Sequence, residues 1–294
     1  MMQPLNNQIP LYAVEDCYRF KGDYFLTGFV TKVDGQKNLY VEITISDATG
    51  TQALYCRDNS CVQGDIQPNS MVHVEGRVER VGKRPYLSCK YISASERSGL
   101  FFRNLLQLPA SLCLDPISLG RLIRLVDSIG MVELRTFVTD VILQPDVALK
   151  FITCPASIKY HHNYAGGLLD HSLDVATNFA ATKPAKSIQY DLAVVAGLLH
   201  DIGKTRTLTS DLTLTDVGMM ADHDSLTLEV CSGPLARLSQ VNAWAANQLR
   251  HAWTCSTPGS RYGLKPKTEL AKQLQQHDRD SAFKSEFNAM NATN

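Results

Sequence analysis

The hydrophobic pattern of the chain changes its period once, near the polar stretch SASERSG at residues 93–99. From residue 24 to residue 92, apolar residues alternate with polar ones, as in LYVEITISD, where Val41, Ile43 and Ile45 share one face. After the break, apolar residues recur at steps of three and four. Because alternation indicates strands and the longer step indicates helices, we expect a multidomain protein in which an all-β domain precedes an all-α domain.

Composition excludes several classes of protein. The chain of 294 residues carries 29 basic and 29 acidic side chains, so any contact with nucleic acid must use a local patch rather than an overall field. No apolar run is long enough to cross a bilayer, and residues 1–18 lack the basic and apolar regions of a signal peptide. We therefore expect a cytoplasmic protein with no membrane partner. In that setting the eight scattered cysteines are predicted to be reduced thiols.

The same pattern predicts the domain boundaries. We expect a barrel at residues 1–95, a helical connector packed on the next domain at 96–150, a helical domain at 151–285 and a flexible tail at 286–294. The first segment contains five short strands separated by turn residues, and antiparallel strands of this length close into small barrels. Their order resembles that of an OB-fold. A small barrel without a ligand is the alternative.

Histidine and aspartate side chains in the C-terminal half have the spacing of a metal site. In AGGLLDHSLDVA, His171 lies on the same face of a predicted helix as core leucine and valine residues. The apolar segment AVVAGLLHDIGK ends at His200 and Asp201, with Gly203 as the expected helix stop. The remaining candidate ligands are His223, His251 and Asp278. Imidazole nitrogen and carboxylate oxygen without thiolate suit manganese, iron, nickel or zinc.

The order H…HD…H…H…D resembles that of the HD-domain metal-dependent phosphohydrolases, over roughly residues 150–285. The resemblance implies hydrolysis at phosphorus. Since the pattern has more histidines than one ion needs, we expect two divalent ions with Asp201 as the bridging ligand. We expect manganese first, with iron, nickel or zinc as alternatives. Two ions can stabilise both the attacking and the leaving oxygen at phosphorus.

Three side chains near these ligands are candidates for holding the phosphate, and we group them with Asp201 as the predicted catalytic set. His161 and His162 precede the first ligand helix, where Gly166 and Gly167 would let backbone N–H groups approach an anion. Lys204 follows the HD pair and can act as a point charge. The alternatives are a surface loop for the histidine pair and a solvated charge for the lysine.

The two predicted domains together resemble the YhaM-type 3′–5′ exoribonucleases, over about residues 20–285. LRTFVTDVILQPDVALKFITCPASIKYHHNYAGGLLDHSLDVA is similar to the connector and first HD helices of that family. The resemblance implies metal-dependent hydrolysis of single-stranded RNA, or DNA, from the 3′ end to 5′-mononucleotides. The family usually has a second histidine directly after the position of His251, where this chain has Ala252.

A basic and aromatic hairpin is the candidate strand-binding surface of the barrel. Its members are Arg77, Arg80, Lys83, Arg84, Tyr86, Lys90 and Tyr91. OB-folds hold single strands by pairing a cationic groove with aromatic stacking. The alternative is a charged edge that prevents strand pairing.

The expected partner is therefore single-stranded nucleic acid, and a homo-oligomer is compatible with the sequence. Two other functions stay open. One is a phosphodiesterase for small or cyclic nucleotides, because many HD proteins act on these. The other is a non-catalytic or relaxase-like single-strand-binding protein, since HHNYAGGLLDHS also resembles the HD region of MobH-type conjugative relaxases.

Overall fold

The computed structural model describes residues 8–95, 101–160, 162–257 and 263–292 of the chain. Contacts divide the chain after Leu112 into two units, one built of strands and the other of helices. This is the order of fold classes that the change in hydrophobic period predicted.

Five long strands and one short strand form the N-terminal unit. They are β1 (Arg19–Val33), β2 (Leu39–Asp47), β3 (Gly50–Cys56), β4 (Val62–Gln63), β5 (Ser70–Val81) and β6 (Arg84–Ala94). β1 pairs antiparallel with β2 and β5, and β6 pairs antiparallel with β5. Parallel pairing of β3 with β6, with Leu54 opposite Leu87, closes the sheet. The result is the five-stranded OB-like barrel that was predicted, with β4 added beside β6.

The interior of the barrel is filled by alternate side chains of its strands. Ile43 and Ile45 on β2 are fully buried, as their alternation predicted. Tyr24 on β1 is buried among them, and its hydroxyl donates to the carbonyl of Ile9 over 2.8 Å. A buried hydroxyl needs such a partner, so the segment before β1 is held against the barrel.

Residues 101–112 belong to the barrel unit, whereas the sequence placed the boundary at residue 95. The backbone N–H of Ala48 donates to the carbonyl of Leu106 over 2.8 Å. The side chain of Gln107 is fully buried and donates to the carbonyl of Asp23 over 3.2 Å. Hydrophobic period identifies where strands stop, but these hydrogen bonds extend the unit past its last strand.

Cys56 and Cys61 form a disulfide, so the prediction of eight reduced thiols is wrong for this pair. Cys56 ends β3, and the short 3₁₀ turn Asn59–Cys61 returns the chain to it. Asp58, Asn59 and Ser60 between the two cysteines are turn-forming residues, a signal that the prediction did not use. The other six cysteines are free thiols, and burial raises the pKa of Cys231 to about 12. A thiol that stays protonated is unreactive.

Helices make up the C-terminal unit in the part of the chain that the structure describes. They are α1 (Ile117–Asp127), α2 (Val132–Ile142), α3 (Ala148–Thr153), α4 (Gly167–Ala181), α5 (Ile188–Leu199), α6 (Lys204–Thr207), α7 (His223–Val241), α8 (Ala243–Thr254) and α9 (Glu269–Ala292). α5 is buried from Asp191 to Leu199 and packs against α2, α4, α8 and α9. Its C-terminal end therefore carries the HD pair into the interior.

The last helix differs from its prediction. α9 continues to Ala292, past residue 285, where the helical domain was expected to give way to a tail. Its sequence contains neither glycine nor proline, the two residues that most strongly end a helix. None of the helices in the described ranges is both long and apolar enough to cross a membrane.

Candidate metal centre

Four of the six predicted metal ligands meet at one point in the helical unit. Nε2 of His171 on α4 lies 3.2 Å from Nε2 of His200, which follows α5. Oδ1 of Asp278 on α9 lies 3.1 Å from the same His171 nitrogen. Oδ2 of Asp201 lies 3.5 Å from the Nε2 atoms of both histidines. Three helices thus bring two imidazoles and two carboxylates together.

Hydrogen bonds on the outer ring nitrogens turn both imidazoles toward this point. Nδ1 of His200 lies 2.8 Å from the carbonyl of Gly197, which can only accept, so Nδ1 carries the proton. Nδ1 of His171 lies 3.2 Å from Oγ of Ser281. The Nε2 atoms of both rings therefore point toward the two carboxylates. Two imidazole nitrogens and two carboxylates around one point form a donor set that fits a bound divalent cation.

The two carboxylates of the donor set attract positive charge, and the pKa of His200 reflects this attraction. Burial lowers the pKa of His171 to about 4, so its imidazole is neutral. Burial would also lower the pKa of His200, but Asp201 and Asp278 outweigh it and raise that pKa to about 9. The pKa of Asp201 lies well below its usual range, because Lys204 and His200 outweigh the opposing effect of burial. Its carboxylate is therefore ionised at neutral pH.

Gly203 allows the next helix to approach the HD pair. We expected it to stop α5, but α5 ends at Leu199 with His200 as its cap, and Gly203 has an ordinary φ of −59° before α6. A Cβ at this position would lie 2.1 Å from the carbonyl oxygen of His223. Thr227 on α7 completes the contact, since its hydroxyl donates to the carbonyl of His200 over 3.0 Å. The glycine is needed for space rather than for its backbone angle.

Replacing Gly203 with alanine is expected to destabilise the protein by about 1–3 kcal/mol, because the new methyl group overpacks the start of α7. It should also weaken metal binding by displacing His223. Gly120→Ala in α1 is the control, since its Cβ meets only the flexible end of Arg124 at 3.3 Å. Alanine there should raise stability by up to about 1 kcal/mol. Urea unfolding measures the free energy of unfolding of both variants. Equal values for the two would contradict the packing argument.

His223 and Lys204 contact the two oxygens of Asp201. Nε2 of His223, the first residue of α7, lies 3.4 Å from Oδ1. Nζ of Lys204, the first residue of α6, lies 2.5 Å from Oδ2. Asp201 therefore has one oxygen toward the donor set and the other toward His223. The role of Asp201 as a bridging ligand stays a prediction.

His251 is not brought to the donor set by the contacts that the structure describes for it. Its Nε2 accepts the backbone N–H of Lys267 over 2.9 Å. The histidine lies in the last turn of α8, where the loop that enters α9 passes over it. Ala252 beside it is buried, so the position of the family's second histidine holds a packed methyl group. The prediction of His251 as a metal ligand thus finds no support in this geometry.

The two histidines predicted to hold phosphate have different outcomes. His161 lies outside the described residues. The ring of His162 is buried, with its centre 5.3 Å from that of His171. Its Nε2 lies 3.8 Å from Oδ2 of Asp174, which also pairs with Arg121. His162 is therefore next to the donor set, and a carboxylate lies at its outer edge.

Gly166 and Gly167 serve close packing in front of α4. Gly166 has a φ of +85°, a left-handed conformation that favours glycine. A Cβ on Gly167 would lie 2.1 Å from the carbonyl oxygen of His162. This contact holds the backbone of His162 against the helix that carries His171. The role of these glycines in binding an anion stays a prediction.

Comparison with known proteins identifies the helical unit. Residues 168–282 match the family model for the HD domain. The chain contains an HD domain. HD domains are metal-dependent, in agreement with the donor set.

Two curated relatives are each similar to part of the chain. It is 33% identical over 100 residues to the dihydroneopterin 2′,3′-cyclic phosphate phosphodiesterase of Methanocaldococcus jannaschii, over 29% of this chain and 39% of that protein. It is 29% identical over 133 residues to the 3′-5′ exoribonuclease YhaM of Bacillus velezensis, over 44% of this chain and 41% of that protein. The chain thus spans about two fifths of each relative's length. Together with the HD domain, these matches support a metal-dependent phosphohydrolase that resembles YhaM.

The hairpin residues predicted to bind a strand lie on β5, β6 and the turn between them. β5 pairs with β1 as far as Arg77, and β6 pairs with β3 at Leu87 and Ser88. The end of the hairpin, with Arg80, Lys83 and Arg84, extends past these pairs, so the edge-protection alternative stays open there. Glu79 engages two members of the group, since Tyr86 donates to it over 2.5 Å and Lys90 pairs with it at 2.9 Å.

The structure adds three residues to this surface. Tyr40 on β2 and Tyr55 on β3 form a row of rings with Tyr86, with centres 6.0 and 6.2 Å apart. These rings line a cavity of about 300 Å³ with Arg57 and Arg84. Val41, Ile43 and Ile45 of β2 alternate toward the interior, so the same pattern places Tyr40 on the outer face of the barrel. The sequence therefore contained a signal for the outward position of this ring. Pairing of β3 with β6 was needed to bring Tyr55 to Tyr86.

The other predicted strand-binding residues are distributed around this surface. Arg77 and Lys90 line a second cavity with Arg19 and Lys21. Arg80 and Lys83 are exposed, and the ring of Tyr91 lies 6.4 Å from that of His73. Of these two cavities, the first combines cationic side chains with the row of aromatic rings.

Proposed function

We propose that the chain is a divalent-metal-dependent 3′–5′ exonuclease that hydrolyses single-stranded RNA, or DNA, to 5′-mononucleotides. The observation that carries the proposal is the presence, in one chain, of the His and Asp donor set and an OB-like barrel with three tyrosines beside two arginines. Stacked rings next to cations are the means by which OB-folds hold single strands. A hydrolase for small substrates has no need of such a surface.

Each part of the HD domain has a role in this proposal. His171, His200, Asp201 and Asp278 would hold one ion, and His223 would share a second with the other oxygen of Asp201. We propose manganese as the metal. Divalent ions supply Lewis-acid chemistry at phosphorus when they are bound.

The chain's own cations complete the site. Lys204 lies at the carboxylate of Asp201 and is 13% exposed, so its charge acts where little water screens it. A positive charge in that place offsets the negative charge that develops on the phosphoryl oxygens. His162, packed on the ring of His171, would fix the orientation of that ligand.

Oligonucleotides labelled at one end test the proposal. With manganese, a 5′-labelled single strand should shorten stepwise, whereas a 3′-labelled strand should release its label as a mononucleotide at once. A phosphate on the 3′ terminus should slow the reaction, and a chelator should stop it. Rapid cleavage of a circular single strand would indicate an endonuclease and contradict the proposal.

A phosphodiesterase for small or cyclic nucleotides is the second candidate. It is favoured by the similarity of 100 residues of this chain to a protein named as a 2′,3′-cyclic phosphate phosphodiesterase. Adding 2′,3′-cyclic nucleotides to the same assay separates the two functions. Hydrolysis of the cyclic nucleotides without shortening of the oligonucleotide would establish the second candidate in place of the first.

A further inference from the structure

A cavity of about 700 Å³ lies directly beside the donor set. Lys204 and His223, the two residues that contact the carboxylate of Asp201, line part of it. Much of the remaining wall is apolar and includes Tyr160, Leu214, Met219 and Met220. Cavities of this size typically take small organic ligands, so this one could hold a group attached to the reacting phosphate.

The apolar side chains of this wall are unusually exposed. Tyr160 is 70% exposed, Met219 65% and Met220 88%. Single exposed apolar residues are common on protein surfaces, but several around one concavity mark a binding site. Lys204 and His223 lie at Asp201, Lys159 and Asp222 also line the cavity, and the apolar part of the wall offers a ring and two thioethers. This combination complements a phosphate ester that carries a flat, weakly polar group.

Backbone contacts hold this wall in place relative to Lys204. The loop after α6 folds back on itself, with Leu208 bridged to Leu214. The hydroxyl of Thr215 donates to the carbonyl of Arg206 over 2.6 Å and accepts the N–H of Gly218 over 3.0 Å. A Cβ on Gly218 would lie 2.2 Å from the carbonyl oxygen of Thr207. The loop is therefore packed tightly on α6, and its two methionines have a defined position.

Tyr160 is held from the other side of the cavity. Its backbone N–H donates to Oγ of Ser157 over 3.0 Å, which closes a short turn before the segment that leads to α4. The side chain has few protein contacts to lose, given its exposure. The ring of Tyr160 is therefore free to contact a ligand, because the fold does not depend on it.

We propose that this cavity binds the 3′-terminal nucleoside of the substrate, with its base against Tyr160 and the two methionines and its 5′-phosphate toward Lys204 and His223. The proposal rests on the exonuclease function and deepens it. Every nucleobase has a face that stacks on an aromatic ring, and thioethers adapt to different shapes. The cavity would therefore position the chain end for cleavage and accept all four bases.

The test compares two single-stranded RNA substrates that differ only in the last residue, which is a normal nucleotide in one and an abasic ribose in the other. We expect the full-length protein with manganese to have the higher kcat/KM on the normal end. Tyr160→Ala should lower kcat/KM on that substrate about tenfold, the typical effect of losing one stacked base, and leave the abasic substrate unchanged. Tyr160→Phe keeps the ring and should restore the preference.

Trp244→Ala is the matched control. Trp244 is an aromatic residue of the same unit with 52% exposure. It lies beyond the C-terminal end of α7, roughly 28 Å along that 19-residue helix from His223. This variant should behave as the unmodified protein on both substrates. Melting temperatures of all variants should agree, because both positions are on the surface.

A binding measurement separates failure of this inference from failure of the exonuclease function. Adenosine 5′-monophosphate and ribose 5-phosphate are titrated into the manganese-loaded protein, and only the nucleotide should lose affinity in Tyr160→Ala. If both ends are cleaved alike, or the variant loses activity equally on both, the inference is overturned while the exonuclease stands. If RNA is not cleaved at all, a loss of affinity in Tyr160→Ala for adenosine 5′-monophosphate but not for ribose 5-phosphate would still support binding of a nucleoside in this cavity. If the variant binds both ligands as the unmodified protein does, the inference is overturned.

Discussion

Replacing Asp201 with asparagine is expected to abolish both metal binding and phosphodiester hydrolysis. The substitution keeps the shape of the side chain but removes the charge that faces His171 and His200 on one oxygen and His223 on the other. Since metal ions contribute several kcal/mol to phosphoryl transfer, activity should fall by at least about a thousandfold. Elemental analysis of the purified protein, together with hydrolysis of bis(p-nitrophenyl) phosphate, measures the two effects.

Asp127→Asn is the control for the loss of one acidic charge. Asp127 is exposed at the end of α1, away from every proposed ligand in sequence. It should keep full metal content and activity. The circular dichroism of both variants should match that of the unmodified chain. An Asp201→Asn protein that still holds its metal would show that this carboxylate does not connect the two parts of the site.

Removing the three rings of the barrel surface should separate strand binding from chemistry. The triple variant Tyr40→Ala, Tyr55→Ala, Tyr86→Ala is expected to bind a long single strand about a hundredfold more weakly. Each stacked base contributes roughly 1–3 kcal/mol, and every 1.4 kcal/mol changes affinity tenfold. Hydrolysis of bis(p-nitrophenyl) phosphate should stay unchanged, because no proposed metal ligand lies in that unit. Fluorescence anisotropy of a labelled strand measures the binding.

Tyr12→Ala provides the matched control in the same unit. Tyr12 is 73% exposed on the short helix before β1 and does not line the cavity that holds the three rings. Its loss should leave strand binding within about twofold of the original. If the triple variant binds a long strand as tightly as this control, the barrel surface is not the strand-holding site. The candidate function in small-nucleotide hydrolysis would then be favoured.

The sequence predicted those features that depend on local period and spacing. Alternation around Ile43 and Ile45 predicted the barrel strands, and a helical face shared with core residues placed His171 in the interior. The position of His200 and Asp201 could be predicted because it requires only a helix whose C-terminal end lies in the core. All of these signals are short-range, so they can be interpreted without knowledge of the fold.

The features that the sequence did not predict depend on the path of a loop. They are the bond of His251 to Lys267, the disulfide of Cys56 with Cys61 and the docking of residues 101–112 on the barrel. The row of Tyr55 with Tyr86 depends on the strand pair that closes the barrel. Hydrophobic period carries no information about which loop passes over which helix, so these contacts could not be read from the sequence.

Close backbone contact at glycine has a consequence for how this chain tolerates mutation. Any side chain at Gly167, Gly203 or Gly218 would collide with a carbonyl oxygen, and one at Gly197 would meet the backbone of Ala176 on α4 at 2.5 Å. None of these glycines has a side chain that could bind metal or substrate. A saturation screen for lost activity would nevertheless score all four as severely as the histidines. In such a screen, the positions that tolerate no substitution would therefore include those that set the distance between helices as well as those that bind metal or substrate.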